Sequence, residues 1–218
     1  MNSKLDEILT RLAQHRLVPV IALEHAAQAA PLAQALVAGG LPVAEVTFRT
    51  AAAVESIGTM AARGDMIVGA GTVLTPDQAD EARAAGATFV VSPGINPKVV
   101  RHCLDNDLPI IPGVSNPTDI EMALDHGLRV VKFFPAEAFG GLKTLKAMSA
   151  PYGDVRFMPT GGISPANIND YLAFSKVVAC GGSWMVKPDL YADGDFAPVE
   201  AAVRGAVDTV STTEKPLD

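Results

Sequence analysis

The chain is poor in cysteine, in basic charge and in uninterrupted apolar sequence. Cys103 and Cys180 are the only two cysteines in 218 residues. They allow one bridge at most, and with no secretion signal in view the expectation is two reduced thiols in a cytoplasmic protein. The N-terminal stretch Met1-Asn2-Ser3-Lys4-Leu5-Asp6-Glu7 mixes charges and has no apolar signal region. No apolar run approaches the roughly 18 residues of a transmembrane helix; residues 26–44 are broken by Gln28, Pro31, Gln34 and a Gly-Gly pair. Lys and Arg total 17 against 24 Asp and Glu, a net charge of −7. That balance argues against nucleic acid, whose phosphates recruit basic faces, and no Lys/Arg cluster marks a membrane surface. His15, His25, His102 and His126 lack ligand spacing, so no metal site is expected.

Apolar residues make up 49%, enough for a sizeable core. Eight short β-rich runs are present: 17–23, 43–48, 66–69, 88–91, 109–111, 129–134, 155–159 and 176–179. Most are continuously apolar, the mark of strands buried on both faces. Helical patterns alternate with them at 26–37, 51–62, 76–85, 97–105, 117–126, 142–149, 165–173 and 197–210, and one more, 4–15, precedes the first strand. Thr75-Pro76, Asn96-Pro97, Asn116-Pro117 and Ser164-Pro165 each offer a capping side chain before a helix-starting proline. Gly40, Gly86 and Gly127 fall where helices should stop.

This order predicts an α/β fold: one (β/α)8 TIM barrel over residues 1–218, with an extra N-terminal helix in 1–16 and a loose polar tail at 211–218. A doubly wound open sheet is the alternative. The first strand leads into Glu24-His25, however, not into a Gly-x-Gly-x-x-Gly loop.

Barrels of this kind place chemistry at the C-terminal ends of their strands. The sixth run, Arg129-Val-Val-Lys132-Phe-Phe134, sets Lys132 on one face with Val130 and Phe134. Burial disfavours an ammonium, and a neutral amine is the nucleophile a Schiff base needs. A lysine that snorkels to the rim or pairs with an acid is the plain alternative. The second run puts Glu45, Thr47 and Arg49 on one face. Glu45 and Arg49 lie about 13 Å apart along a strand, too far for direct pairing. Glu45 is therefore expected to meet Lys132 across the interior and to move its protons. Arg49 would grip a carboxylate by a two-pronged contact. A structural ion-pair network is the alternative for this trio. The seventh and eighth runs end in Thr160-Gly161-Gly162 and Gly181-Gly182-Ser183, where backbone N–H groups and a short helix starting near Ser183 suit a phosphate. Thr72, in Gly69-Ala-Gly-Thr72, is a further hydroxyl candidate on the same rim. Pro93 shapes a loop there, and Trp184 packs at the rim.

Glu45-Val-Thr-Phe-Arg49-Thr50, Gly69-Ala-Gly-Thr72, Ser92-Pro93-Gly94, Pro112-Gly-Val-Ser-Asn-Pro117, Lys132-Phe-Phe-Pro-Ala-Glu137, Pro159-Thr-Gly-Gly-Ile163 and Gly181-Gly-Ser-Trp184 together closely resemble the bacterial 2-keto-3-deoxy-6-phosphogluconate aldolase family. That family includes 4-hydroxy-2-oxoglutarate aldolase activity. The resemblance runs from about Leu5 to Ala206. It implies a cofactor-free, metal-free, homotrimeric class I aldolase of the Entner–Doudoroff pathway acting on a phosphorylated 2-keto acid. By motif, it implies Lys132 as the Schiff-base lysine and Glu45 as the general acid/base. Arg49, Thr72, Pro93 and Phe134 match the pyruvate pocket, and Thr160, Gly161, Gly162, Gly182 and Ser183 the hydroxyl and phosphate end. Thr160 favours the gluconate over the galactonate epimer. The competing readings are a 2-keto-3-deoxy-6-phosphogalactonate aldolase and a phosphosugar-binding barrel that forms no amine adduct.

Overall fold

The computed structural model describes residues 3–211. Residues 1–2 of the expected N-terminal segment and 212–218 of the expected tail lie outside them. Helix α1 (Ser3–His15) is followed by β1 (Leu17–Ile21), α2 (Ala29–Ala38), β2 (Val43–Thr47), α3 (Ala53–Ala61), β3 (Ile67–Gly71), α4 (Pro76–Ala84), β4 (Phe89–Val91) and α5 (Pro97–Asp105). The second half runs β5 (Ile110–Ile111), β6 (Gly113–Val114), α6 (Pro117–Asp125), β7 (Val130–Phe133), α7 (Gly141–Ser149), β8 (Arg156–Phe157), α8 (Ile168–Leu172), β9 (Cys180–Gly182) and α9 (Ala197–Ser211).

All strand pairs are parallel. One sheet runs β5-β4-β3-β2-β1-β9, and a second runs β6-β7-β8. Only Pro112 separates β5 from β6; it has no N–H to give, but its carbonyl accepts from Lys132 N at 2.8 Å. Parallel bridges Phe157–Val177 and Thr160–Gly181 link the β8 side to the β9 side. The result is an α/β fold with a curled parallel sheet. Every residue of β1 to β4 is buried, as continuous apolar sequence predicts for β1, β3 and β4; in β2 the buried residues include Glu45 and Thr47. The interior is filled closely. Phe89 occupies the space a Cβ at Gly69 would need, its Cζ only 2.2 Å from that position.

Local chemistry agrees with most of the expected boundaries. Thr75, Asn96 and Asn116 accept hydrogen bonds from Gln78 N (3.2 Å), Lys98 N (3.0 Å) and Asp119 N (3.1 Å). Gly40, Gly86 and Gly127 carry positive φ of 89°, 100° and 75° behind their helices.

Four expectations need correction. Ser164 is not a side-chain cap: its own N–H donates to Asn167 Oδ1 at 2.9 Å, and helix α8 begins only at Ile168. The eighth run moves from 176–179 to Cys180–Gly182, so Gly181 and Gly182 belong to the strand rather than to the loop after it. Glycine has poor strand propensity, but here neighbours fill its missing side chain. A Cβ at Gly181 would meet Thr160 Oγ1 at 2.3 Å, and one at Gly182 would meet the Trp184 ring at 2.0 Å. The short helix after Ser183 is a three-residue 3-10 turn, Trp184–Val186. Ser211, assigned to the loose tail, closes α9 with its hydroxyl on Val207 O at 2.8 Å.

Both thiols are free and fully buried. Burial pushes Cys103 up to about 12, and it raises Cys180 and Tyr171 as well, the last helped by its bond to Glu137. Between the unfolded values and these raised ones, the unfolded chain holds fewer protons than the native one. Stability is therefore whole below about pH 9 and lost as pH climbs. Thermal unfolding from pH 7 to 11 should show a flat Tm that drops above about pH 9. A Tm still flat at pH 11 would refute this.

Candidate active site

A cavity of about 440 Å3 opens at the C-terminal ends of the strands. It is lined by Arg49 from the turn after β2, Thr72 after β3, Pro93 after β4, Phe134 after β7, Thr160 to Ile163 after β8, and Gly181 to Ser183 at the end of β9. All nine residues assigned from sequence to the two substrate ends therefore share one cavity. Val20, Ile163 and Gly181 complete the lining; Gly181 belongs to the motif read from the sequence as suited to a phosphate but was given no separate role, and Val20 and Ile163 were not foreseen. Alternation along the first strand was the available signal for Val20, and the glycine-rich motifs themselves for the other two.

Lys132 and Glu45 lie deeper. Lys132 is 4% exposed and Glu45 fully buried, and Lys132 Nζ donates to Glu45 Oε1 at 3.1 Å. The two come from β7 and β2, which are not paired with each other, so the contact crosses the interior as expected. Lys132 Nζ also stands 5.2 Å from the ring centre of Phe134, which links the amine to the cavity wall. Glu45 Oε2 is buried and finds no hydrogen-bond partner among the described residues. Thr47, on the same face, is satisfied by donating to Ile21 O at 2.8 Å.

Backbone choices make room for this pair. A Cβ on Gly71, in the neighbouring strand β3, would lie 2.4 Å from Glu45 Oε1. A Cβ on Gly113, which is in register with Lys132, would lie 2.1 Å from Pro93 O. Thr72 follows Gly71 with φ 57°, a left-handed conformation that costs a β-branched residue about 1–3 kcal/mol. No sequence signal announces that strain. Arg49 is exposed at the mouth and forms no ion pair with a described residue. Gly161 and Gly162 have φ of 97° and 82°, and their amides donate to no described residue.

A larger cavity of about 620 Å3 lies at the opposite ends of the strands, between α1 and the loops before β4 and β5. It has no buried amine–carboxylate pair, so chemistry rather than size identifies the site. Among the described residues no cluster of three His, Cys, Asp or Glu could hold a metal ion. His102 instead pairs with Asp80 at 2.9 Å.

Fold and site together define a carbon–carbon lyase, an aldolase. The family model for KDPG and KHG aldolase matches residues 8–202, and the chain belongs to that family. The 2-dehydro-3-deoxy-phosphogluconate aldolase of Treponema pallidum is 52% identical over 195 residues, covering 89% of this chain and 93% of its own. The structure of the 2-keto-3-deoxy-6-phosphogluconate aldolase of Zymomonas mobilis with 3-phosphoglycerate superposes with a TM-score of 0.87 at 40% identity, covering 97% of each chain. The KDPG aldolase of Legionella pneumophila, with pyruvate captured as a covalent carbinolamine, also gives 0.87, at 36% identity over 91% of this chain and 97% of that one.

Gly71→Ala should push the Glu45 carboxylate off Lys132 while leaving both groups present. Turnover should fall by roughly 100-fold, since about 1 Å of misplacement has that effect. Tm should drop by only several degrees, for about 1–3 kcal/mol of overpacking. Steady-state kinetics beside a thermal melt check both.

Proposed function

We propose that the protein is a class I aldolase that cleaves 2-keto-3-deoxy-6-phosphogluconate to pyruvate and glyceraldehyde 3-phosphate in the Entner–Doudoroff pathway, and that it also acts on 4-hydroxy-2-oxoglutarate. The observation that carries this reading is the buried 3.1 Å contact between Lys132 Nζ and Glu45 Oε1 beside a cavity lined by Arg49 on one strand end and by Thr160 to Ile163 and Gly181 to Ser183 on two others. The relatives support it. One is named for this substrate, one was solved with a phosphorylated three-carbon acid, and one with pyruvate joined covalently.

In this reading the Lys132 ammonium passes a proton to Glu45, and the freed amine attacks the C2 ketone. Glu45 gives that proton to the new alkoxide, takes a second proton from the nitrogen and hands it to the hydroxyl, which leaves as water so that the carbinolamine becomes an iminium. Glu45 then takes the C4 hydroxyl proton. The C3–C4 electron pair moves into the iminium, C4 becomes the aldehyde of glyceraldehyde 3-phosphate, and an enamine stays on Lys132. Protonation at C3 and addition of water release pyruvate and restore the amine. The free Oε2 of Glu45 suits this work, because one oxygen holds the lysine while the other reaches the reacting hydroxyl. The iminium is itself the electron sink, so the chemistry needs no metal or cofactor.

Arg49 and Thr72 hold the carboxylate, Pro93 and Phe134 wall the pyruvyl group, and Thr160, Gly161, Gly162, Gly182 and Ser183 receive the distal hydroxyls and phosphate. The described residues, 3–211, form one domain, an eight-stranded (β/α)8 barrel preceded by α1. Support comes from Pro112 alone dividing β5 from β6 and from the two bridges toward β9. A homotrimer working in the cytoplasm completes the proposal, supported by family membership and by two unpaired thiols.

Incubation with pyruvate and borohydride should add one reduced pyruvyl group, and peptide mass mapping should find it on Lys132. An unmodified Lys132 would sink the aldolase and favour a phosphosugar-binding protein without an amine adduct. Glu45→Gln should lower kcat by roughly 100- to 10,000-fold, the usual contribution of a general acid/base, while the protein still binds the substrate carboxylate. Cleavage rates on the gluconate and galactonate epimers test the substrate choice.

A further inference from the structure

Three successive peptide units on the loop after β8 are held by residues that do not line the cavity. Thr160 O accepts from Ala136 N at 2.8 Å, Gly161 O from Glu137 N at 3.0 Å, and Gly162 O from Asn167 Nδ2 at 3.1 Å. A trans peptide holds its C=O and its N–H on opposite sides. Each bond that draws a carbonyl toward one of these residues therefore aims the following amide the other way. Those amides belong to Gly161, Gly162 and Ile163, and all three residues line the cavity. None of the three donates to another described residue. Consecutive left-handed glycines allow such a row of amides to converge on one anion.

The three peptides are not held alike. The first two are fixed by backbone amides of Ala136 and Glu137, whatever the side chains are. The third depends on a single side chain. Asn167 donates to Gly162 O and accepts from Ser164 N at 2.9 Å, so one carboxamide brackets Ile163 from both sides. Only one orientation of the amide satisfies both bonds, which settles which end is Nδ2. Asn167 does not line the cavity and touches no reacting atom.

We propose that Asn167 is a positioning residue that sets the preference for a phosphorylated substrate. By orienting the Gly162–Ile163 peptide it completes a nest of three amides for the terminal phosphate. The inference rests on the aldolase reading for its kinetic consequence, but not for its anion.

The test compares the unaltered protein with Asn167→Ala and Asn167→Asp. The aspartate keeps an acceptor for Ser164 N, loses the donor to Gly162 O and adds a negative charge. With 2-keto-3-deoxy-6-phosphogluconate, KM should rise by about tenfold or more in the alanine variant, with kcat changed by less than about threefold. The aspartate variant should be impaired at least as much. With 4-hydroxy-2-oxoglutarate, which has no phosphate, kcat/KM should stay within about twofold, a split that a general loss of structure does not produce. Titration with inorganic phosphate should show weaker binding in both variants. Equal losses on the two substrates, or an unchanged KM for the phosphorylated one, would overturn the proposal. If the unaltered protein gives no borohydride adduct with pyruvate, the aldolase reading fails by itself. The phosphate titration then decides on Asn167: weaker binding in the variants upholds its role, and equal or absent binding in all three proteins refutes it.

Discussion

The buried contact between Lys132 and Glu45 is the constraint around which the rest of the molecule is arranged. Two opposite charges taken out of water lose several kcal/mol each in hydration, and a pair seldom recovers more than it lost. Removing one partner strands the other at a cost of about 3–5 kcal/mol. Such a pair is poor as a stabilising device and useful as a chemical one. The sheet accommodates it with glycines. Gly71 leaves the volume that the Glu45 carboxylate occupies, and Gly113 lets the Pro93 loop close over the strand beside Lys132. The strained backbone of Thr72 comes directly after Gly71, so strain and chemistry share one strand end.

The other end of the cavity follows a different logic. An acidic chain of net charge −7 has no general attraction for an anion. Attraction must be local, and in the function proposed above it comes from the main chain of the loop after β8. Its carbonyls accept from Ala136 N, Glu137 N and Asn167 Nδ2, while the amides of Gly161, Gly162 and Ile163 donate to no described residue. Side chains matter there as spacers and braces. Thr160 fills the place of a missing Cβ at Gly181, the Trp184 ring does so at Gly182, and Tyr171 holds Glu137 against the same loop.

Local signals in the chain were legible where the physics is local. Continuous apolar runs marked strands β1, β3 and β4, and three of the four Thr/Asn/Ser-Pro pairs act as helix caps. The exceptions share a cause. Ser164 fails as a cap because Asn167 reaches back for its N–H, a bond no propensity describes. Cys180–Gly182 reads as a loop because glycine gives strands nothing to pack, yet it pairs residue by residue with Leu17, Val18 and Pro19 of β1. A partner strand more than 160 residues away overrides the local preference.

The candidate site divides in the same way. Residue type and strand position in the sequence marked Lys132, Glu45 and Arg49, because charge inside an apolar strand is rare and costly enough to demand a purpose. Resemblance to the aldolases then supplied the roles. Only the tertiary structure decided that the Lys132 amine and the Glu45 carboxylate meet at 3.1 Å, that Thr72 is held left-handed, and that the Asn167 carboxamide binds both Gly162 O and Ser164 N. Chain chemistry extends its influence over a few residues. Which distant side chains share a space depends on the curl of the sheet and the register of its strands, and these are fixed only when the whole interior packs at once.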